Sequence, residues 1–145
     1  MNFEIHHFAY LTEDIELSIK EMNSLGFELE GPIFDIIAQK VSVCFMKNSN
    51  NIRYELVKPN ADNHSLKRMI LNGITLYHTG YLVHSINESA NYLIDRGFFQ
   101  VNSFFSEAFN GNKCSFFISP VRMSFLNLCC FAKRYACYQN FLLNQ

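Results

Sequence analysis

Apolar and polar positions alternate along residues 5–11, "IHHFAYL", and the stretch is rich in β-formers, which predicts a strand. The following "TEDIELSIKEMNSLGF" changes period. Ile15, Ile19, Met22 and Leu25 recur at helical spacing behind Thr12 and the acids Glu13, Asp14 and Glu16, and Gly26 marks the stop. Residues 27–34 read as a second strand, which Gly31-Pro32 bends or ends. Two further strands lie over 40–47 and 52–58, and the Asn/Ser tract 48–51 between them signals a hairpin. A polar connection from Pro59 to Gly73 contains "HSLKRMILNG", a short helix. The chain then reads strand 76–82, helix 85–96, strand 98–105, loop 106–111, and strands 112–118 and 123–129. The order is βαβββ twice.

The two halves also share residues. "HHFAYLT" near the start and "YHTGYLV" at 77–83 align with His78 on His7, an offset of 71 residues. Tyr81 then falls on Tyr10, Leu82 on Leu11, and Gly97-Phe98 on Gly26-Phe27. The later strands align at an offset of 72, with Cys44-Phe45-Met46 on Phe116-Phe117-Ile118 and Glu55 on Asn127. The expected organisation is one α+β domain: module one over 1–59, a linker over 60–74, module two over 75–129, and a tail over 130–145. Aromatic and aliphatic residues recur at helical spacing in the tail, which predicts a terminal helix on the body or on a partner subunit, and a homodimer is expected.

A βαβββ unit is a small sheet with a helix on one face. Two units paired edge to edge form a larger curved sheet around a cleft, with alternate side chains pointing into it. The repeat places His7 and His78 on equivalent surfaces. Glu55 lies in the last strand of module one between Tyr54 and Leu56, an apolar setting for a carboxylate. Two imidazoles and a carboxylate converging on one cleft suit a divalent metal with an open coordination position. Glu55 alternatively pairs with Arg53, which shares its strand parity. Arg53 is also the candidate to bind an anionic substrate group. His6 has the opposite parity to His7 and is expected at the surface or edge, and His64 and His84 in solvent. Phe104, Phe105 and Phe109 either pack in the core or wall the cleft.

Composition removes several function classes. A formal charge of −1 with scattered basic residues excludes an electrostatic case for a nucleic-acid partner. No apolar run reaches the roughly 18 residues that span a bilayer. The N-terminus does not resemble a signal peptide, so a cytoplasmic protein is expected. Five cysteines, two of them adjacent, suit neither a disulfide framework nor paired zinc spacing. Cys44, Cys114 and Cys129 read as small core residues.

Four segments carry a resemblance to a known family. "HFAYLT" is similar to a first strand of type HIGIAV, and "CFMKNSNNIRYELVKP" to a hairpin that ends in an ELLEP-type segment. "YHTGYLV" and "NGNKCSFFISP" are similar to the corresponding second-half strands. In their order the segments resemble the vicinal oxygen chelate superfamily, which includes glyoxalase I, methylmalonyl-CoA epimerase, bleomycin-resistance proteins and extradiol dioxygenases. The resemblance spans residues 5–129. It implies a glyoxalase-like fold and a divalent metal ion (zinc, nickel, cobalt or manganese) on His7, Glu55 and His78. The fourth ligand position, a glutamate in the family, falls on Asn127.

The resemblance implies two functions. One is a metal-dependent isomerase, epimerase or lyase acting on a small oxo or acyl compound such as a thioester; the carboxylates in reach to move the proton are Glu55, on leaving the metal, and Glu107 from the second-half loop. The other is a metal-free module that binds or sequesters small molecules, toward which Asn127 points because an amide is no base. The dioxygenases' iron triad would want a carboxylate where Asn127 stands.

Overall fold

A computed structural model describes residues 1–130, which form eight strands and three helices. Module one comprises β1 (Glu4–Leu11), α1 (Ile15–Ser24), β2 (Glu28–Ile36), β3 (Val41–Lys47) and β4 (Arg53–Pro59). The linker forms α2 (His64–Leu71). Module two comprises β5 (Leu76–Leu82), α3 (Ile86–Ile94), β6 (Phe99–Ser106), β7 (Asn112–Ile118) and β8 (Phe125–Cys129). Short 3-10 turns at Ile37–Gln39 and Glu107–Phe109 precede β3 and β7. The terminal helix expected from the tail lies outside the described residues beyond Cys130.

Each helix starts on a side-chain cap: the Asp14 carboxylate accepts from Leu17 N, Asn63 from Leu66 N and Ser85 from Glu88 N. α1 ends at Gly26, whose φ of +84° is the left-handed conformation that favours glycine. Ile15, Ile19 and Met22 of α1 pack on Cys44, Met46 and Leu56 from the outer face of the sheet. In module two, Ile86, Ala90 and Leu93 of α3 cover Phe117, Leu126 and Leu128 in the same way.

The strands form one curled half-barrel sheet in the order β2-β3-β4-β1-β5-β8-β7-β6. The modules join within the chain through β1 and β5, which are antiparallel and pair His7 with Gly80 and Ala9 with His78. Residues 71 apart thus exchange places across a pseudo-twofold axis. The inner face carries Ala9, Leu11, Val43 and Val57, and α2 adds Leu66 to that cluster. The short helix expected within the polar connection therefore forms and lies against module one's end of the cleft.

Strand pairing corrects the register of the repeat. Phe45 pairs with Glu55 and Phe116 with Asn127, so Phe116 corresponds to Phe45 and the offset in β7 is still 71. The step to 72 falls in the turn between β7 and β8, not before β7. Gly31-Pro32 bends β2 without ending it: the register shifts between Glu30 and Phe34, and the strand continues to Ile36.

Candidate metal centre

β1 and β5 cross at the pseudo-twofold axis, and the parallel neighbours β4 and β8 flank them. Ala9 is level with Glu55, and Gly80 with Asn127. Alternation turns His7, Glu55, His78 and Asn127 inward, and all four are buried, at 0%, 5%, 4% and 3% exposure. His7 Nε2 lies 3.0 Å from His78 Nε2 and 3.4 Å from Glu55 Oε2. His78 Nε2 lies 3.2 Å from the same Glu55 oxygen.

Burial pushes the Glu55 carboxyl up, but the polar imidazoles of His7 and His78 beside it outweigh burial and hold the group below its usual range, ionised. Burial also dominates at His78. It holds this imidazole below its ordinary value against the pull of Glu55, and so neutral at pH 7. A neutral imidazole and an ionised carboxylate are the forms that bind metal.

The separations fit such an ion. Three ligands about 2.1 Å from a common centre and about 90–110° apart lie roughly 3.0–3.4 Å from one another. The trio is the one group of three or more metal-ligating side chains among the described residues whose ligand atoms converge, all within 4.8 Å. Asn127 Oδ1 is buried with no hydrogen-bond partner among the described residues, so its lone pairs remain for a bound group.

A small open cleft lies over Glu55, His78 and Asn127, with about 30 Å³ of room for water-sized occupants. Its walls are apolar, from Val43, Val57, Phe104, Phe109 and Phe116, with Gln39, Tyr77 and Ser106 among its polar lining. Of the three phenylalanines raised by the sequence, Phe104 stacks on Phe116 and Phe109 is buried against Phe45, while Phe105 faces solvent. Glu107 is exposed at the start of its turn, as are His64 and His84 on their loops and helix start.

Two expectations need correction. Arg53 does not pair with Glu55. Its Nε and Nη2 donate to the two carboxylate oxygens of Glu30 on β2, at 2.5 and 2.9 Å. His6 is not a surface residue. The register of β1 against β5 shifts between Ile5 and His7, and the bulge turns His6 inward beside His7. Its ring packs edge-on against Phe45 and near Phe109. Burial, then His7 and Arg53, push His6 down to about 2, so it is neutral. The second module repeats the irregularity, with a shift between Ala9 and Tyr10 that leaves Tyr77, the counterpart of His6, beside His78. Alternation alone hides both residues. The pairs His6-His7 and Tyr77-His78 at equal positions in the repeat were the available signal.

Comparison with solved structures shows the same fold. A hypothetical protein from Bacillus halodurans superposes with a TM-score of 0.78 at 19% identity, over 92% of this chain and 98% of that one. Methylmalonyl-CoA epimerase from Mycobacterium tuberculosis gives 0.77 at 14% identity, over 92% and 91%. A Streptomyces coelicolor methylmalonyl-CoA epimerase variant, in complex with 2-nitronate-propionyl-CoA, gives 0.74 at 17%, over 89% and 97%. No curated protein matches the chain by sequence. The sequence model of one family does match, over residues 4–116, from the first strand of module one into β7. With that match joined to the doubled βαβββ sheet, the chain belongs to the glyoxalase/bleomycin resistance protein/dioxygenase superfamily.

Proposed function

We propose that the protein is a metal-dependent isomerase, epimerase or lyase that acts on a small oxo or acyl compound held in the cleft. One observation carries the reading: His7 Nε2, His78 Nε2 and Glu55 Oε2 converge within 3.0–3.4 Å of one another, and Glu55 and His78 line an apolar cleft. These three side chains would hold a divalent ion, which supplies Lewis-acid polarisation of a carbonyl oxygen when bound. Asn127 Oδ1, without a hydrogen-bond partner among the described residues, accepts a hydrogen bond from a substrate hydroxyl or amide or adds a weak fourth ligand. The walls from Val43, Val57 and Phe116 exclude water and strengthen each polar contact inside.

Among the described residues Glu55 is the single carboxylate lining the cleft, and it would leave the ion to receive a proton from carbon. Arg53 would meet a substrate carboxylate by exchanging Glu30 for it, a swap between equal bidentate partners. The methylmalonyl-CoA epimerases of like fold make acyl thioesters the first substrates to try.

A second reading, a metal-free small-molecule binder, rests on a different feature of the same atoms. The two Nε2 atoms and Glu55 already stand at hydrogen-bonding distance and can satisfy one another without an ion. Elemental analysis of protein purified without chelator or affinity-tag histidines separates the readings. The enzyme reading expects near one divalent ion per chain, lost in His78→Ala, and metal-dependent deuterium exchange from solvent into an acyl thioester or α-hydroxy ketone. Metal-free wild-type protein that takes up no added zinc, nickel, cobalt or manganese would sink it.

A further inference from the structure

The two histidines of the centre are not equally supported. His7 Nδ1 lies 2.9 Å from His6 Nδ1, while His78 Nδ1 is buried with no hydrogen-bond partner among the described residues. The difference comes from the bulges. In β1 the residue turned inward is an imidazole. In β5 it is Tyr77, whose ring meets His78 edge-on at 4.8 Å between centroids. A histidine that offers Nε2 as a lone pair must carry its proton on Nδ1, and the partner of that proton sets tautomer and ring angle. At His7 the partner is His6.

We propose that His6 is a positioning residue for His7. His7 Nδ1–H donates to His6 Nδ1, which fixes the His7 ring with Nε2 bare toward His78 and Glu55 and so primes it for the metal. The inference rests on the metal-dependent reading above for its purpose, but the coupling of the two imidazoles does not. The surroundings hold His6 for the task. Phe45 and Phe109 pack its ring at 5.7 and 5.5 Å, and Arg53 Nη1 donates to its carbonyl oxygen at 3.4 Å. Arg53 is in turn gripped by Glu30, so the bulge is tied to the rim of the sheet. Position 6 thus links the ion pair outside to the imidazole inside.

Two variants isolate the hydrogen bond from the packing. His6→Phe keeps a ring between Phe45 and Phe109 and removes the acceptor. His6→Asn gives up the ring but places Oδ1 on Cγ, where the Nδ1 of His6 stood. The tautomer of His7 is read from long-range ¹⁵N–¹H couplings in the metal-free proteins, and affinity for Co²⁺ alone from its visible absorption. The proposal expects the Nδ1–H form of His7 in wild type, its loss in His6→Phe, and a Co²⁺ affinity about 10- to 100-fold weaker. His6→Asn should recover both to within a few-fold.

An unchanged His7 tautomer and Co²⁺ affinity in His6→Phe would overturn the proposal, and so would His6→Asn behaving like His6→Phe. If no variant nor wild type binds Co²⁺ while the tautomer still follows residue 6, the metal reading fails and the coupling stands. If Co²⁺ binds equally to all three with one tautomer, the coupling fails and the metal reading stands.

Discussion

The imidazole of His7 occupies the space that a side chain at position 80 would need. A Cβ on Gly80 would stand 2.0 Å from His7 Cε1 and 2.4 Å from both ring nitrogens. Gly80 pairs directly with His7 across the β1–β5 seam, and its backbone does not use the left-handed region, so its role there is space. Gly80→Ala should therefore push the His7 ring off its position while leaving the sheet paired. We expect destabilisation of about 1–3 kcal/mol, from overpacking at a site with no slack. Bound metal should fall well below stoichiometric. Denaturant unfolding and elemental analysis on the same preparation check both. Retention of wild-type metal content would show that His7 is not needed where it stands.

The element order and the convergence of His7, Glu55 and His78 are legible in the sequence because two periodicities agree. Alternation assigns the faces, and the repeat says that the two histidines are equivalent. What is not legible is whatever breaks alternation. Counting by twos puts His6 on the face away from His7, and the bulge after Ile5 brings it back. Parity also places Arg53 on the side of Glu55, correctly. Its partner is nevertheless Glu30 two strands away, because ion pairing across a sheet is decided by the neighbouring strands and not by sequence proximity. The linker offers a third case. Its composition is polar, yet Leu66, Met69 and Ile70 alone suffice to seat α2 on the inner cluster.

Asn127→Glu tests the departure from the family pattern. The substitution sets a second carboxylate beside Glu55 in a buried cleft, where like charges repel and desolvation is unfavourable. Without metal the variant should be less stable than wild type, by about 2–4 kcal/mol if the added group stays ionised. With a divalent ion present the order should narrow or invert, since the new carboxylate adds a ligand. Paired melting curves with and without Zn²⁺ measure this. An equal response to Zn²⁺ in both proteins would mean that position 127 does not face the ion.

The Glu30–Arg53 pair gives a pH dependence with a defined sign. Burial pushes the Glu30 carboxyl up, but the hydrogen bonds and charge of Arg53 bring it below its usual 4.5. A carboxyl depressed in the folded state contributes stability above its unfolded value, and the contribution is lost as pH falls through the folded one. Glu30 is 39% exposed, so the contribution is screened to about 1 kcal/mol or less. Arg53→Met should thus destabilise the protein modestly at pH 7 and progressively less below pH 4.5. Urea unfolding of both proteins at several pH values reads the difference. A constant penalty across that range would mean that the methylene stem of Arg53 matters and its charge does not.

Removing the metal should register as lost stability, because an ion held by three side chains from β1, β4 and β5 ties both modules at their seam. Free metal about 1,000-fold above its dissociation constant stabilises the folded state by about 4 kcal/mol. For a chain of this size that corresponds to a melting shift of roughly 8–16 °C. Chelation of the wild-type protein should lower its midpoint by that order, and restored zinc or cobalt should recover it. His78→Ala should melt at one temperature whether or not chelator is present, since the remaining His7 and Glu55 make a poor site. The comparison separates a metal effect from a chelator artefact, because an artefact would move both proteins. A wild-type midpoint indifferent to chelator and to added metal would instead favour the metal-free reading, in which Glu55 and the two imidazoles satisfy one another.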